Sequence, residues 1–468
     1  MRAVPLLAAA ALAGCSMAPK YVRGDLPVPP SWPVGDSYLR QSEAALPAVP
    51  YAEIFTDLRL QALIQQSLAN NRDLRVAAAN LAAARAQVRI RRAAQLPQLD
   101  AGAAVTRSNG TDDRLASTNI DLTAGISAFE LDLFGRLASA TEAQRQIALA
   151  TEAAARTVRL GLIADIANTW AARAADADLL RIAQDTAANA RRTVALTRAR
   201  LSGGVAPRTD LRQAEQVLAT AEGDVAEQTA LMAQDENLLR LLVGASIDPA
   251  LLPGGLAEVI PTVAVLPAGT SSEVLLRRPD VLQAEYELRA ANADVGVARA
   301  QLFPRISLTG LLGFASDALS SIFAGGAFRS SVGADAGYAI FAGGGARANV
   351  AASQARRGAA LAGYEQAIQT AFREVADALA AQGTIADRLR ASETLTAAAA
   401  DTARLTVARY RGGVASSLEN LDAQRSLYAA ERAQVAVRLA AIVNRVALYR
   451  ALASDAAAAG PADHVQMR

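Results

Sequence analysis

The sequence predicts a mainly α protein with a membrane β-barrel, built from tandem-duplicated long helical hairpins and four transmembrane strands per protomer. Three observations carry this. Residues 134 to 201 hold no proline and only two glycines, Gly135 and Gly161; a helix of that length runs about 100 Å, far beyond an ordinary domain. Within it Leu180, Ala187, Val194 and Leu201 recur every seven residues, the period of helices packed side by side. After a break at Ser202-Gly203-Gly204-Val205-Ala206-Pro207, Leu211, Leu218, Val225, Met232 and Leu239 keep the same spacing, which predicts a hairpin. Finally, the pattern repeats. Gly412-Gly413-Val414 answers Gly203-Gly204-Val205, Leu421, Tyr428, Val435, Ile442 and Tyr449 restore the heptad, and Gln95-Leu96-Pro97 matches Gln301 to Pro304. A constant offset of about 207 to 210 residues marks a tandem duplication.

Taken in order, Met1-Arg2 and the apolar run to Ala13 are too short to span a bilayer and predict a signal peptide over residues 1 to 14. Leu12-Ala13-Gly14-Cys15 resembles a bacterial lipobox, and Cys15, the single cysteine of the chain, has no partner within it. Cys15 is therefore the expected lipidation site, with Ser16 after it favouring the outer membrane. Residues 15 to 56, rich in proline around Trp32, read as an extended tether. The first repeat covers 57 to 243: a helix from Asp57 to about Gln95, strands at 97 to 107 and 119 to 131, the long helix 134 to 201 and a helix at 208 to 243. Residues 244 to 270, with Pro249, Pro253, Pro261 and Pro267, form a connector. The second repeat, 271 to 453, predicts a helix, strands at 304 to 315 and 330 to 341, a long helix at 342 to 410 and a helix at 417 to 453. A tail of residues 454 to 468 follows.

The strands decide the compartment. Leu99, Ala101, Ala103 and Val105 alternate with Gln98, Asp100, Ala104 and Thr106; Ile120, Leu122, Ala124, Ile126 and Ala128 alternate with Asn119, Asp121, Thr123, Ser127 and Phe129. Ile306, Leu308, Leu312 and Phe314, then Val332, Ala334, Ala336, Tyr338 and Ile340, repeat the pattern against Ser307, Thr309, Ser331 and Asp335. Runs of about ten residues with period two fit tilted transmembrane strands. Four strands close no barrel, because the smallest have about eight, and an open edge is not tolerated in lipid. Several chains must pool their strands.

Chemistry of other kinds finds no support. With one histidine, His464, and one cysteine, no His or Cys metal cluster assembles within the chain, and no cofactor is expected. Phe341-Ala342-Gly343-Gly344-Gly345 lacks the Lys-Ser/Thr of a phosphate loop and reads as a strand-to-helix joint. A net charge of +2 leaves no nucleic-acid footprint. The chain is not expected to be an enzyme.

Leu275-Leu276-Arg277-Arg278-Pro279-Asp280-Val281 and the run on to Leu308 closely resemble the lipoprotein branch of the TolC-type outer-membrane factors of resistance-nodulation-division efflux systems. Leu-Asp-Leu-Phe-Gly-Arg at 131 to 136, Tyr-Arg-Gly-Gly-Val at 410 to 414 and Leu-Asp-Ala-Gln-Arg at 421 to 425 fit the same family. The resemblance covers nearly all of the mature chain. It implies a homotrimer with a twelve-stranded barrel, a long periplasmic α-barrel and an equatorial belt. It also implies an exit duct whose partners are a periplasmic adaptor protein and an inner-membrane pump. A duct for type I protein secretion shares the fold, and a non-conducting coiled-coil scaffold is a more distant alternative. The resemblance further places Tyr410 and Asp210 as gate residues that bond between neighbouring tip helices, with Thr209 beside them. Ala415 stands where some members carry an arginine, which leaves Leu418 as an apolar plug. Glu419 and Asp422, three apart on one helical face, fall where the family turns acidic rings to the lumen. Rings of carboxylates in a narrow neck select cations.

Overall fold

A computed structural model describes residues 16–33, 50–108, 117–265 and 272–452. The predicted signal peptide, Cys15, and the tail with His464 lie outside the described residues. The main elements are α1 (Leu58–Asn70), α2 (Arg72–Ala93), β1 (Asp100–Ser108), β2 (Ser117–Leu131), α3 (Arg136–Ser202) and α4 (Arg208–Val243) in the first repeat. The second adds α5 (Pro279–Ala300), β3 (Arg305–Ser316), β4 (Phe328–Gly337), α6 (Gly345–Arg411) and α7 (Ser417–Leu452). The helices α3 and α6 are each 67 residues, and α4 and α7 each 36, so the duplication holds in length as well as in pattern. No described helix is long and apolar enough to cross a membrane.

The chain divides into two compact units. One contains Ala79–Ala153 and Leu282–Gln366, with the segment ending at Asp25. Its centre is an antiparallel sheet in the order β1-β2-β3-β4. Cα partners in an antiparallel ladder share a face. Ala103, Leu122, Phe314 and Phe328 therefore form one row across all four strands, while Gly102, Thr123, Gly313 and Arg329 form a row on the opposite face. A β-bulge between Ile126 and Phe129 inserts one residue into β2 and reverses its parity. This corrects the predicted alternation: Phe129 pairs with Leu308 and Leu131 with Ile306, on the apolar face, while Glu130 joins Ser307 and Asp335 on the polar one. Val105, Leu312, Phe328 and Val332 on the apolar face are exposed in the single chain.

The first described residues are docked, contrary to the expectation of a tether. Residues 17 to 23 run antiparallel to α5. Arg299 donates to the Met17 oxygen at 3.3 Å, and Asn292 to that of Pro19 at 2.7 Å. A Cβ at Gly296 would stand 2.8 Å from Ala18, so only glycine admits the segment. Glu285, 2% exposed, is gripped by Arg23 at 2.6 Å and Arg289 at 2.7 Å and accepts from Tyr21 at 3.1 Å. Burial alone would raise the Glu285 carboxyl; the hydrogen bonds from Arg23 and Arg289 more than offset it and hold the group below its ordinary value.

The second unit contains Leu26–Ala78, Ala154–Val281 and the chain from Ala367. Here the predicted helix from Asp57 to Gln95 breaks into α1 and α2 at Asn71, whose extended backbone frees its side chain to cap Leu74 at 3.1 Å and donate to the Leu242 oxygen at 2.8 Å. A short helix, Tyr51–Ile54, falls inside the predicted tether, and Phe55 bridges to Val263. Phe55 packs edge-on against Tyr449 at 5.2 Å, and Leu60, Leu63, Ile64, Leu256 and Val259 of the same unit are buried. Trp32, also expected in the tether, is buried against Phe372 at 4.7 Å. Trp170 anchors the connector by donating to the Leu251 oxygen at 3.0 Å. The Arg-Arg-Pro-Asp-Val run is structural: Arg278, 6% exposed, binds Asp280 at 2.6 Å and Glu374 at 2.8 Å and donates to the Ala451 oxygen at 3.1 Å.

Candidate functional site: the paired helical turns

The heptad positions form the helix contacts that lead to the turns. Leu421, Val435, Ile442 and Tyr449 of α7 are buried, as are Ala187 and Val194 of α3 and Leu211 and Leu239 of α4. Buried Ala214, Ala221 and Ala190 supply the small surfaces that let helices approach. Beyond Leu421 a cluster of Val194, Leu211, Ala214 and Leu421, flanked by Leu201, Val217 and Leu218, closes the end of the bundle.

The two turns are built alike. After α3 the Val205 N–H bonds to the Arg200 oxygen at 2.9 Å and that of Gly204 to Leu201 at 3.0 Å. After α6 the N–H of Val414 bonds to Arg409 at 3.0 Å and that of Gly413 to Tyr410 at 3.1 Å. This crossed pair is a Schellman closure, which requires one left-handed residue, and Gly204 (φ 75°) and Gly413 (φ 77°) supply it. Val205 and Val414 are left exposed, 77% and 70%.

Tyr410, 4% exposed, joins α6 to α3 here. Its hydroxyl lies 3.2 Å from Thr197 Oγ1, a fully buried group. The Arg200 guanidinium stacks 4.4 Å from the Tyr410 ring centroid and donates to the Tyr410 main-chain oxygen at 2.9 Å. The predicted bond to Asp210 is thus not made within one chain, where the hydroxyl meets Thr197 instead. Asp210 is half-buried in the first turn of α4, behind a Pro207 cap, and Thr209 beside it is exposed. Sequence reasoning missed Thr197 and Arg200. The signal was present in Thr-x-Ala-Arg, which occurs at 197 to 200 and again at 406 to 409.

The second predicted group lies on α7. Ser416 caps this helix, its hydroxyl accepting from the Glu419 N–H at 3.1 Å. Glu419 and Asp422 both face solvent in the single chain, and Asp422 pairs loosely with Arg425 at 4.0 Å. Leu418, the expected apolar plug, is 57% exposed in the single chain and free to project from the turn. Farther along, Tyr428 donates to Asp224 at 2.6 Å and ties α7 to α4.

A duplicated chain whose halves each carry two strands with one apolar face, and one long hairpin closed by a glycine turn, defines a class of outer-membrane proteins. The chain belongs to the outer membrane efflux protein family, which matches it twice, over residues 63–245 and 270–454. It is 39% identical over 449 residues to the toluene efflux pump outer membrane protein TtgC of Pseudomonas putida, covering 94% of this chain and 93% of that one. It is 36% identical over 450 residues to the cation efflux system protein CusC of Escherichia coli, covering 96% and 97%. Among solved structures, a membrane protein from Pseudomonas aeruginosa superposes with a TM-score of 0.86 at 36% identity, covering 94% of this chain and all of that one. The open state of the MtrE outer membrane channel of Neisseria gonorrhoeae gives 0.82 at 32%, covering 94% and 98%.

Proposed function

We propose that this chain is the outer-membrane exit duct of a tripartite efflux system. It works as a lipid-anchored homotrimer that receives small molecules from a periplasmic adaptor and an inner-membrane pump. One observation carries the reading: a four-stranded sheet with a continuous apolar face has both edges open, in the same chain as hairpins that end in matched turns. Lipid on the apolar face requires those edges to be paired, and three copies supply twelve strands. In this reading the turns form the periplasmic tip, Tyr410, Asp210, Thr209 and Leu418 form its gate, and Glu419 and Asp422 form a cation-selective ring. Cys15 carries the lipid by virtue of Leu-Ala-Gly-Cys. The relatives' names span toluene, solvents, antibiotics and cations, which supports a duct that does not choose its cargo. They also favour efflux over type I secretion.

The test is the protein purified from outer membranes. Native mass spectrometry is expected to give three chains, each with an acylated Cys15. Planar bilayers are expected to show discrete channels, and pull-down to recover an adaptor and a pump. A single-chain mass with no conductance would overturn the duct; an unmodified Cys15 would overturn only the anchor.

A further inference from the structure

The duplication carries information about the seam between copies. In a closed ring, each contact from the first repeat onto the second within one chain has an image: the second repeat of that copy meets the first repeat of the next. Below the sheet the repeats are related by Leu96-Pro97 matching Phe303-Pro304 and Phe134 matching Phe341. Phe134 stacks on Phe303 with ring centroids 4.5 Å apart. Their images, Phe341 and Leu96, stand 90% and 63% exposed. One pair is satisfied inside the chain. The other presents the same kind of apolar surface to water, as a seam awaiting a second copy does.

At the turns Gly203-Gly204 matches Gly412-Gly413, so Thr197, Arg200 and Leu201 correspond to Thr406, Arg409 and Tyr410. Inside the chain Thr197 and Arg200 meet Tyr410. The image joint sets Thr406 and Arg409 of one copy against Leu201 of the next. Thr406 is half-buried and Arg409 exposed in the single chain.

We infer that copies of this chain join through Phe341 against Leu96 at the foot of the sheet and through Thr406 and Arg409 against Leu201 at the turns. The two kinds of joint at the tip are therefore unequal. Leu201 accepts from Arg409 on its main-chain oxygen, as Tyr410 does from Arg200, but it offers Thr406 no hydroxyl and Arg409 no ring. The tip parts first between copies, and full opening then breaks the joint inside each chain as well. This rests on the homotrimer proposed above.

Cysteine pairs test the seam in the full-length protein. A short bismaleimide is the reagent, because a tyrosine ring between two helices leaves their Cβ atoms too far apart for a disulfide. T197C/Y410C is expected to link within one chain and run as a monomer. L96C/F341C and L201C/T406C are expected to give dimer and trimer ladders that the single-cysteine variants lack. If both of the latter pairs stay monomeric in a sample whose native mass is three chains, the seam is wrong; a native mass of one chain overturns the homotrimer itself. Function tests the inequality. L201Y supplies the missing hydroxyl and ring at three joints and is expected to lower resting conductance about tenfold or more. Unchanged conductance in a protein that still cross-links through L96C/F341C would refute the unequal tip.

Discussion

Replacing Tyr410 with phenylalanine removes one hydroxyl from the joint and leaves the rest. The ring stays beneath the Arg200 guanidinium, 4.4 Å from its centroid, and the 2.9 Å bond to the main-chain oxygen is untouched. What disappears is the 3.2 Å contact with Thr197, whose side chain is fully buried. Orphaning a buried hydroxyl costs about 1 to 3 kcal/mol. The lower end applies, because Thr197 can turn toward the carbonyl four residues back, as Thr193 does toward Asn189 at 3.2 Å. In the homotrimer proposed above, with one such joint per copy, the loss is about 3 kcal/mol, or about a hundredfold in the ratio of open to closed tips. Resting conductance of single channels in a planar bilayer reads this ratio directly. Y410F is expected to raise it, T197V to raise it comparably, and the double variant to add little, since both remove the same bond. A wild-type resting state in Y410F, with a raised one in Y410A, would show that ring packing and not the hydroxyl closes the tip.

Other variants separate further parts of the molecule. Glu419→Gln with Asp422→Asn is expected to reduce cation selectivity, measured as reversal potential under a salt gradient, and to abolish block by a trivalent cation from the periplasmic side. Arg278→Ala leaves the part-exposed Asp280 and Glu374 without their buried cation and the Ala451 oxygen without its donor, and is expected to cost about 1 to 3 kcal/mol in stability at neutral pH. Burial alone would raise the Asp280 carboxyl, but Arg278 holds it below its ordinary 3.8. That stabilisation is present above 3.8 and fades as pH falls through the lower folded value, so the deficit in thermal midpoint should shrink in acid. Asp235 behaves oppositely, since burial and the neighbouring Asp176 push it up from 3.8 to about 6. The folded state holds this proton more tightly than the unfolded one, so stability falls as pH rises between those values. Asp235→Asn is expected to raise the thermal midpoint at pH 8 and leave it unchanged at pH 4. Glu285→Gln weakens the grip on Arg23, and faster tryptic cleavage after Lys20 or Arg23 would report it.

The long helices were readable because their signals are local and redundant: glycine, proline and heptad spacing all point the same way. Their ends were less so. Gly135 (φ 69°) and an Asp132 carboxylate accepting from the Ala138 N–H at 2.7 Å start α3 at Arg136, two residues inside the predicted edge. The strand predicted to reach Phe341 stops at Gly337, because β3 begins opposite it at Arg305 and leaves Tyr338 to Phe341 unpaired within the chain. The bulge in β2 was invisible, since alternation alone cannot show where parity changes. Both turns of the candidate site were placed from their glycines. The partner of Tyr410 was not, because Thr197 lies 213 residues away and nothing local marks the two as neighbours.

The docked segment from Met17 to Arg23 also fixes an order of events. Its partners on α5 come 262 to 282 residues later in the chain. As the polypeptide is threaded out from its beginning, these residues have no α5 to lie against until the second repeat has begun to emerge, and Gly296 and Glu285 admit them only once α5 has formed. Residues 17 to 23 are thus among the last to find their place, and the stretch just behind the expected processing site stays within reach for most of the chain's passage.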